Sequence, residues 1–274
     1  MGIVNVTPDS FSDGGEYFHA DVAAQRALEL FQEGADIVDV GGESTRPGSY
    51  ERITTEEEMR RVIPVIKLIL RERPDAIVSV DTYRAETARR AAEAGAEIVN
   101  DVSGLTWGEG MAECIAETGA GCVLMHSRGR PEEWKGLPRF HGAEVVRDVV
   151  RGLSGSVAAA RNAGVAREAI AIDPGLGFGK RFEENYPLLA RMEDVVALGY
   201  PVVSGASRKS FLGRTIGERV GKKEVPVKER LNGTTAADVA AILRGAHIIR
   251  VHEVKPAVEA AAIADAILAA SDGL

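Results

Sequence analysis

The sequence predicts an α/β protein with the strand and helix order of a single (β/α)8 TIM barrel. Three observations support this fold class. Short β-branched runs alternate with stretches rich in Ala, Glu and Arg, each run is nearly continuous in apolar residues, and no Pro- or Ser-rich linker interrupts the alternation. Continuous apolar runs are typical of parallel strands that are buried on both faces. Because 274 residues is close to the usual length of such a barrel, we expect residues 1–274 to form one domain, with an open doubly wound sheet as the alternative.

The candidate strands are eight apolar runs, taken in chain order. They are Ile3–Val6, Ile37–Val40, Ala76–Val80, Glu97–Val99, Gly121–Met125, Ala169–Ile172, Pro201–Val203 and His247–Val251. Helical patterns lie between and after them, including Asp21–Glu33, Glu56–Arg71, Arg84–Ala94, Val145–Ala163 and Pro256–Ala270. Glycines that follow helical stretches are typical of helix C-caps. The glycines in that position are Gly34, Gly95, Gly164 and Gly199.

Composition and charge restrict the classes of partner. The net charge is −8, which disfavours nucleic acid because binding to a phosphate backbone needs a basic face. No basic-then-apolar leader and no apolar run of about 18 residues is present, so we expect no membrane association. The two cysteines, Cys114 and Cys122, lack metal-type spacing and are expected to be buried thiols. These features favour a cytoplasmic protein.

Polar side chains follow the candidate strands, at the end of a barrel where catalytic groups usually lie. One set carries carboxylates or an amide, which suit a heterocycle with N–H donors and ring acceptors, and comprises Asp81, Asn100 and Asp173. A second set carries cations or N–H donors, which suit phosphate or carboxylate, and comprises Arg46, Lys209, Arg250 and His252. Asn5 could contribute an oxygen ligand to phosphate-bound Mg²⁺. The sequence therefore predicts a pocket for a polar heterocycle with an anion near its rim.

Other features allow a structural interpretation. Gly175–Lys180 resembles a P-loop superficially, but Arg181 stands where Ser or Thr is needed, which excludes ATP binding. His126 could be a structural or a functional histidine, and Trp107 and Trp134 could cover the site or the surface. The charge-rich stretch Glu51–Arg61 is predicted to be a solvated helix start.

Five motifs, in order along the chain, resemble those of dihydropteroate synthases. Two are the segments that begin at Asn5 (NVTPDSFSDGG) and at Asp39 (DVGGESTRPG). The other three begin at Asp173 (DPGLGFGK), Ser207 (SRKSF) and Arg250 (RVH). The resemblance covers essentially the whole chain, and the fold it implies is also a (β/α)8 barrel.

The resemblance implies a set of residue roles. The pterin would be bound by Asp81, Asn100, Val102, Met125, Asp173, Lys209 and Arg250. Pyrophosphate would be bound by Asn5, Arg250 and His252, with Mg²⁺ bridging it to Asn5. The p-aminobenzoate site would be framed by Thr45, Arg46, Pro47, Phe178 and Ser210. The catalytic residues would be Lys209, Arg250, Asp9 and Arg46, with the loops around Asp9 and Phe11 and around Thr45 and Arg46 closing over the substrates.

The implied reaction is the displacement of pyrophosphate from 6-hydroxymethyl-7,8-dihydropterin pyrophosphate by the amine of p-aminobenzoate, in a homodimeric enzyme. We expect the loop Thr7–Gly15 to order when pyrophosphate and Mg²⁺ bind. Glu253 departs from the aspartate that the family usually has after Arg-x-His, and the chain begins directly at the first strand. Two rival functions are a pterin-binding methyltransferase barrel and a non-catalytic pterin-binding module. The segments Asn5–Asp13 and Ser207–Lys209 disfavour the first, and the complete set of cations disfavours the second.

Overall fold

Strands and helices alternate along the chain, as the sequence predicts. A computed structural model describes residues 1–6, 16–43 and 52–271. The strands in these ranges are β1 (Gly2–Asn5), β2 (Ile37–Gly41), β3 (Ile77–Asp81), β4 (Ile98–Asp101), β5 (Gly121–Met125), β6 (Ile170–Asp173), β7 (Val203–Ser204) and β8 (Ile248–Ile249). The α-helices are α1 (Glu16–Gln32), α2 (Thr55–Glu72), α3 (Ala85–Glu93), α4 (Met111–Thr118), α5 (Glu144–Asn162), α6 (Asn185–Ala190), α7 (Met192–Val196), α8 (Ser210–Arg219), α9 (Leu231–Ile242) and α10 (Val254–Ser271).

The strands follow one another in space in the order of the sequence. A six-stranded sheet has the order β1-β2-β3-β4-β5-β6, and β7 and β8 form a two-stranded sheet. The pairings from β1 to β5 are parallel, and so is the pairing of β7 with β8. Parallel neighbours joined through helices are the arrangement of βαβ units, and this arrangement brings the carboxyl ends of neighbouring strands to one edge of each sheet.

The contacts divide the chain into two compact units. The first comprises Met1–Met125 and Gly155–Ala171, and the second comprises His126–Ser154 and Ile172–Leu274. The interpretation of residues 1–274 as one domain stays a prediction. Each unit has its own apolar core, and the fully buried side chains include Val38, Val78 and Ile66 in the first unit and Ile172, Val203 and Leu188 in the second.

The element boundaries agree closely with the sequence pattern. The first six strands begin within one residue of the predicted runs, and five of them also end within one residue; β4 ends two residues later than predicted, at Asp101. β7 and β8 are two-residue strands that overlap the longer predicted runs. The glycines predicted to end helices all have a left-handed backbone: Gly34, Gly95, Gly164 and Gly199. No helix among the residues described here has the length and apolar character that crossing a bilayer requires.

Candidate active site

A row of residues crosses the first sheet near the carboxyl ends of its strands. The register pairs Asn5 with Gly41, Gly41 with Asp81, and Asp81 with Asn100. Gly41 leaves room between the two polar groups beside it, since a Cβ there would lie 3.3 Å from the Cβ of Asp81. The structure therefore brings three predicted site residues, Asn5, Asp81 and Asn100, to one level of this sheet.

The amide of Asn100 is oriented by a buried carboxylate. Asn100 Nδ2 donates a 2.8 Å hydrogen bond to Oδ2 of Asp39 on β2. Asp39 is fully buried and Asn100 nearly so, which makes the charge-assisted bond strong in this apolar environment. Sequence reasoning included Asp39 in a motif but gave it no role. The structure indicates that Asp39 fixes which way the amide of Asn100 points.

Asp101 follows Asn100 and organises the loop after β4. Its Oδ1 accepts a 2.8 Å hydrogen bond from the Ser103 amide and its Oδ2 accepts a 2.7 Å bond from the Leu105 amide. Burial raises the pKa of the Asp101 carboxyl, and the two amide donors oppose that rise. Val102 and Met125, predicted to pack near the pterin, are buried at the ends of β4 and β5. Asp101 thus holds the loop in which Val102 lies.

In the second unit, Asp173 ends β6 and is buried among positive charges. Its Oδ1 accepts a 2.6 Å hydrogen bond from the Gly175 amide. Burial raises the pKa of Asp173, while the Gly175 amide and the charges of Lys209, Lys180 and Arg250 act to lower it. A Cβ on Gly205 would lie 3.9 Å from Asp173 Oδ2 and 4.0 Å from Arg250 Cβ, so a glycine there keeps the space between the two side chains open.

Lys180 is a buried lysine to which the sequence analysis assigns no role. Its Nζ donates hydrogen bonds of 2.7 Å to the His126 carbonyl and 2.8 Å to the Gly175 carbonyl. Burial lowers the pKa of this lysine well below its usual value, and the charge of Asp173 acts against that shift. The lysine of the Gly175–Lys180 motif therefore binds carbonyls of the protein itself. It contributes to the shape of the loop after Asp173.

Lys209 lies beside the same glycine-rich loop. Its Nζ is 4.0 Å from the centroid of the Phe178 ring, close enough for a cation–π contact. Gly177 has a φ of 84°, and a Cβ there would lie 3.2 Å from Lys209 Cδ. Trp134 meets Phe178 edge-on with ring centroids 5.6 Å apart, so this tryptophan packs behind the phenylalanine. The structure thus brings a residue predicted for the pterin next to one predicted for p-aminobenzoate.

The segments after β7 and β8 are joined by a serine and a histidine. Ser207 Oγ lies 3.0 Å from His252 Nδ1 and accepts a 3.2 Å hydrogen bond from the His252 amide. When the serine hydroxyl donates to Nδ1, the imidazole proton lies on Nε2, which can then donate to an anion. Arg250 precedes His252 by two residues, and its amide donates to the Ser204 carbonyl at 3.0 Å.

His126 has the surroundings of a structural histidine. Its Nε2 lies 3.6 Å from Asp148 Oδ2 on α5. Burial is the main reason that the pKa of His126 falls to about 4, so the ring is neutral near pH 7. Gly152 packs against the ring, since a Cβ there would lie 2.4 Å from it. These contacts favour the structural interpretation of His126.

Some predicted site residues fall outside the ranges that the structure describes. They are Asp9, Thr45, Arg46 and Pro47, together with the loop Thr7–Gly15 and its Phe11. Ser210 is described and lies, exposed, at the first residue of α8.

Comparisons with known proteins give a consistent result. A family model described as "Pterin binding enzyme" matches residues 1–252. The dihydropteroate synthase of Clostridium beijerinckii is 43% identical over 269 residues, which cover 98% of this chain and 93% of that protein. A structure of the Clostridium difficile dihydropteroate synthase in the presence of pteroic acid has a TM-score of 0.88 and 42% identity, covering 97% of this chain and 95% of that one. The Xanthomonas albilineans enzyme with 4-aminobenzoic acid has a TM-score of 0.87 and 42% identity, covering 98% of this chain and 92% of that one. This likeness, with the order of parallel strands and helices, confirms the predicted α/β fold class of a (β/α)8 TIM barrel.

Proposed function

The chain belongs to the family of pterin-binding enzymes, and on that basis we propose that it condenses 6-hydroxymethyl-7,8-dihydropterin pyrophosphate with p-aminobenzoate. The products are 7,8-dihydropteroate and pyrophosphate, as for the dihydropteroate synthases that the chain resembles, and the reaction belongs to folate biosynthesis. It transfers the pterin, through its methylene carbon, to an aryl amine. The structural observation that supports the proposal best is the position of Asp173, buried next to the cations Lys209 and Arg250.

The carboxylates and amides bind the pterin ring in this proposal. Asp173 accepts hydrogen bonds from ring N–H groups, and Asp81 and Asn100 supply the remaining polar contacts. The amide of Asn100 would meet the ring in a single orientation, because its Nδ2 donates to Asp39. Val102 and Met125 supply apolar contacts to the ring. Buried carboxylates select a ring that carries N–H donors, since any other ring would leave them without partners.

The cations act on the leaving group. The C–O bond between the pterin methylene and pyrophosphate breaks, the electron pair leaves with pyrophosphate, and the amine nitrogen of p-aminobenzoate attacks the methylene carbon and then loses a proton. Negative charge grows on pyrophosphate while positive charge grows on the pterin. Lys209, Arg250 and His252 stabilise the negative charge on pyrophosphate. Asp173 stabilises the positive charge on the pterin. Groups held in place before the reaction contribute on the order of 3 kcal/mol each to such a step.

Asn5 would hold a magnesium ion together with the pyrophosphate. Its amide oxygen is a hard donor at the end of β1, in the row that also contains Asp81. In the described part of the chain no group of three or more His, Cys, Asp or Glu side chains could hold a metal, so the ion would take most of its ligands from pyrophosphate and water. When bound, Mg²⁺ would neutralise part of the charge that develops on the leaving group.

The p-aminobenzoate site combines described residues with residues outside those ranges. Phe178 provides an apolar wall beside Lys209. Ser210 begins α8, where backbone N–H groups and the helix dipole favour a carboxylate. Thr45, Arg46 and Pro47 complete the site in this proposal, and Asp9 acts from the loop after β1.

We also propose a homodimer in the cytoplasm. On α10, Ile263 and Ile267 lie one helical turn apart and are both about half exposed or more. An apolar pair on the outside of a helix of small residues favours close contact with a second copy of the chain. The cysteines Cys114 and Cys122 are buried free thiols, which fits a reducing compartment.

Release of pyrophosphate tests the proposed function directly. The wild-type chain should release pyrophosphate from the pterin substrate at a rate that depends on p-aminobenzoate. A methyltransferase would show no such dependence, and a non-catalytic module would bind the pterin without turnover. Lys209→Ala should lower kcat/KM at least about a hundredfold, because it removes a cation that meets both substrates. Lys228→Ala, at an exposed lysine of the same unit, is the matched control. A Lys209→Ala variant that keeps more than about a tenth of wild-type kcat/KM would remove Lys209 from the catalytic residues.

A further inference from the structure

Arg208 has a backbone conformation that an arginine rarely adopts. Its φ is 59°, and Leu105 is the other non-glycine residue with a positive φ in the described ranges. Side chains with a Cβ disfavour this left-handed region, so it persists where surrounding contacts enforce it. Such residues concentrate at functional sites. Arg208 stands between Ser207 and Lys209, two residues of the candidate active site.

Contacts from three directions hold Arg208 in this conformation. Its amide donates a 3.0 Å hydrogen bond to Thr234 Oγ1, and its carbonyl accepts a 2.9 Å bond from Nη1 of Arg230. The guanidinium binds Glu253 through Nε, which donates to Oε1 at 2.7 Å, and through Nη2, which donates to the same oxygen. Backbone and side chain of residue 208 are thus both fixed.

Arg230 is itself immobilised. It is 8% exposed, and its Nε and Nη2 donate to the Val225 carbonyl at 3.1 Å and 3.0 Å. Nη2 also donates to Glu224 Oε1 at 2.5 Å. The backbone of residue 208 is therefore tied to a buried arginine that Val225 and Glu224 hold in turn. Among the contacts of Arg208, the ion pair with Glu253 is more exposed than the bond to Arg230: the side chains of Arg208 and Glu253 are 35% and 28% exposed.

The Arg208–Glu253 pair runs beside a second link between the same two segments. Ser207 contacts His252, and the next residues in each segment, Arg208 and Glu253, form the ion pair. The two links join the segment after β7 to the segment after β8 at adjacent positions. A change in φ at residue 208 would rotate Lys209 away from Phe178 and Ser207 away from His252.

We propose that the Arg208–Glu253 pair is a positioning device for the anion-binding side of the active site. By holding residue 208 in the left-handed conformation, it sets the direction of Lys209 and keeps Ser207 on His252. The proposal rests on the proposed function for its meaning in catalysis. It also gives Glu253 a role: the glutamate meets the guanidinium at a position where the family usually has the shorter aspartate.

The comparison of glycine with alanine at position 208 isolates the conformational role. Arg208→Ala and Arg208→Gly remove the same charge and the same ion pair, but glycine adopts positive φ without steric cost. Glu253→Gln keeps the side-chain size and removes the carboxylate. Glu218→Gln, which breaks the Arg214–Glu218 pair on α8, is the matched control because that pair does not contact residue 208.

Two readouts are needed, calorimetric binding of inorganic pyrophosphate and kcat/KM for the condensation. Arg208→Ala and Glu253→Gln should each lower the affinity for pyrophosphate and kcat/KM about tenfold. Arg208→Gly should lower each of the two quantities less than about threefold, and Glu218→Gln should leave both unchanged. Equal losses in Arg208→Ala and Arg208→Gly would overturn the proposal, because the guanidinium rather than the backbone would then matter. Wild-type behaviour of Glu253→Gln would overturn it too. A wild-type chain without p-aminobenzoate-dependent turnover would contradict the proposed function, and the binding series would still test the positioning role.

Discussion

Asp173 is buried beside Lys209, Lys180 and Arg250, so the pterin binding that we propose for it should depend on its charge. Asp173→Asn replaces the carboxylate by an amide of the same size, which can present a donor where the pterin also has one. We expect affinity for the pterin pyrophosphate to fall at least about tenfold, because hydrogen bonds to a charged group contribute more than neutral ones. Affinity for p-aminobenzoate, measured in the presence of pyrophosphate, should change less than about twofold. Calorimetric titration with each ligand measures both.

The control for Asp173→Asn is Asp194→Asn, at an aspartate that pairs with Arg191 on α7. Both variants should unfold at similar denaturant concentrations if Asp173 acts on the ligand. An unchanged pterin affinity in Asp173→Asn would show that this aspartate serves only to hold the Gly175 amide.

The sequence predicts which polar residues lie at the ends of strands, and it misses contacts between residues that are distant along the chain. The positions of Asp81, Asn100 and Asp173 near strand ends were predictable because each directly follows a buried run. Glu58 was predicted to be solvated within a charged stretch, but it is 1% exposed and paired with Arg84. The pairing of Arg208 with Glu253 joins residues 45 positions apart, which no local pattern indicates.

At the scale of elements, Arg84 connects the two ends of the segment after β2. Its Nη2 donates 2.6 Å hydrogen bonds both to Glu43 Oε2, before residues 44–51, and to the Ile53 carbonyl, after them. Tyr83 supports the same carboxylate, with its hydroxyl donating to Glu43 Oε1 at 2.9 Å. Arg84 therefore fixes the separation between the two flanks of this segment, from which the resemblance draws three residues of the p-aminobenzoate site.

Arg84→Gln should raise KM for p-aminobenzoate about tenfold and change KM for the pterin substrate less than about twofold. A glutamine cannot donate to Glu43, Glu58 and Ile53 together, so the flanks would separate. Steady-state kinetics with each substrate varied in turn give the two constants.

Glu58→Gln is the matched control for Arg84→Gln. It weakens another contact of Arg84, 3.0 Å from Nη1, without altering Glu43 or Ile53. Its stability should fall because a buried pair is broken, while KM for p-aminobenzoate should stay near the wild-type value. If both variants raise KM for p-aminobenzoate equally, the cause is a loss of stability in α2 and α3 and not a separation of the flanks of the segment.

The elements were more predictable than their connections. Apolar runs and helix-ending glycines determine strands and helices locally, which explains the agreement at β1 to β6. β7 and β8 are shorter than predicted because their pairing is limited to the two residue pairs Val203–Ile248 and Ser204–Ile249. The shape of the Asp173–Lys180 loop depends on Lys180 binding the carbonyl of residue 126, a contact that the sequence does not indicate.

At the scale of the whole molecule, the proposed homodimer predicts a defined effect of charge on α10. Ile263→Glu should convert a dimer into a monomer, because a carboxylate in a closed apolar contact loses its hydration without gaining a partner. Sedimentation equilibrium measures the mass in solution. Ala262→Glu, at an exposed position one residue earlier on the same helix, is the control and should leave the mass unchanged. A wild-type chain that sediments as a monomer contradicts the dimer itself.

The stability of the whole molecule should depend on pH through Asp238. This residue lies on α9, is 1% exposed, and neither of its carboxylate oxygens has a hydrogen-bond partner among the described residues. Burial raises the pKa of Asp238 to about 8. An unfolded chain has an aspartate pKa of about 4. Between these two pH values the folded protein keeps a proton that the unfolded chain releases, so the free energy of unfolding should fall as pH rises from about 4 to about 8.

Asp238→Asn removes this titration and keeps the size of the side chain. The free energy of unfolding of the wild type, measured in urea, should fall between about pH 5 and about pH 8 by at least about 1 kcal/mol more than that of the variant. Asp265→Asn, at an exposed aspartate of α10, should leave the pH dependence as in the wild type. Parallel pH profiles for wild type and Asp238→Asn would mean that the Asp238 carboxyl is ionised in the folded protein. A positive charge near the carboxylate would then have to stabilise it, because an isolated carboxylate at this depth would otherwise take up a proton.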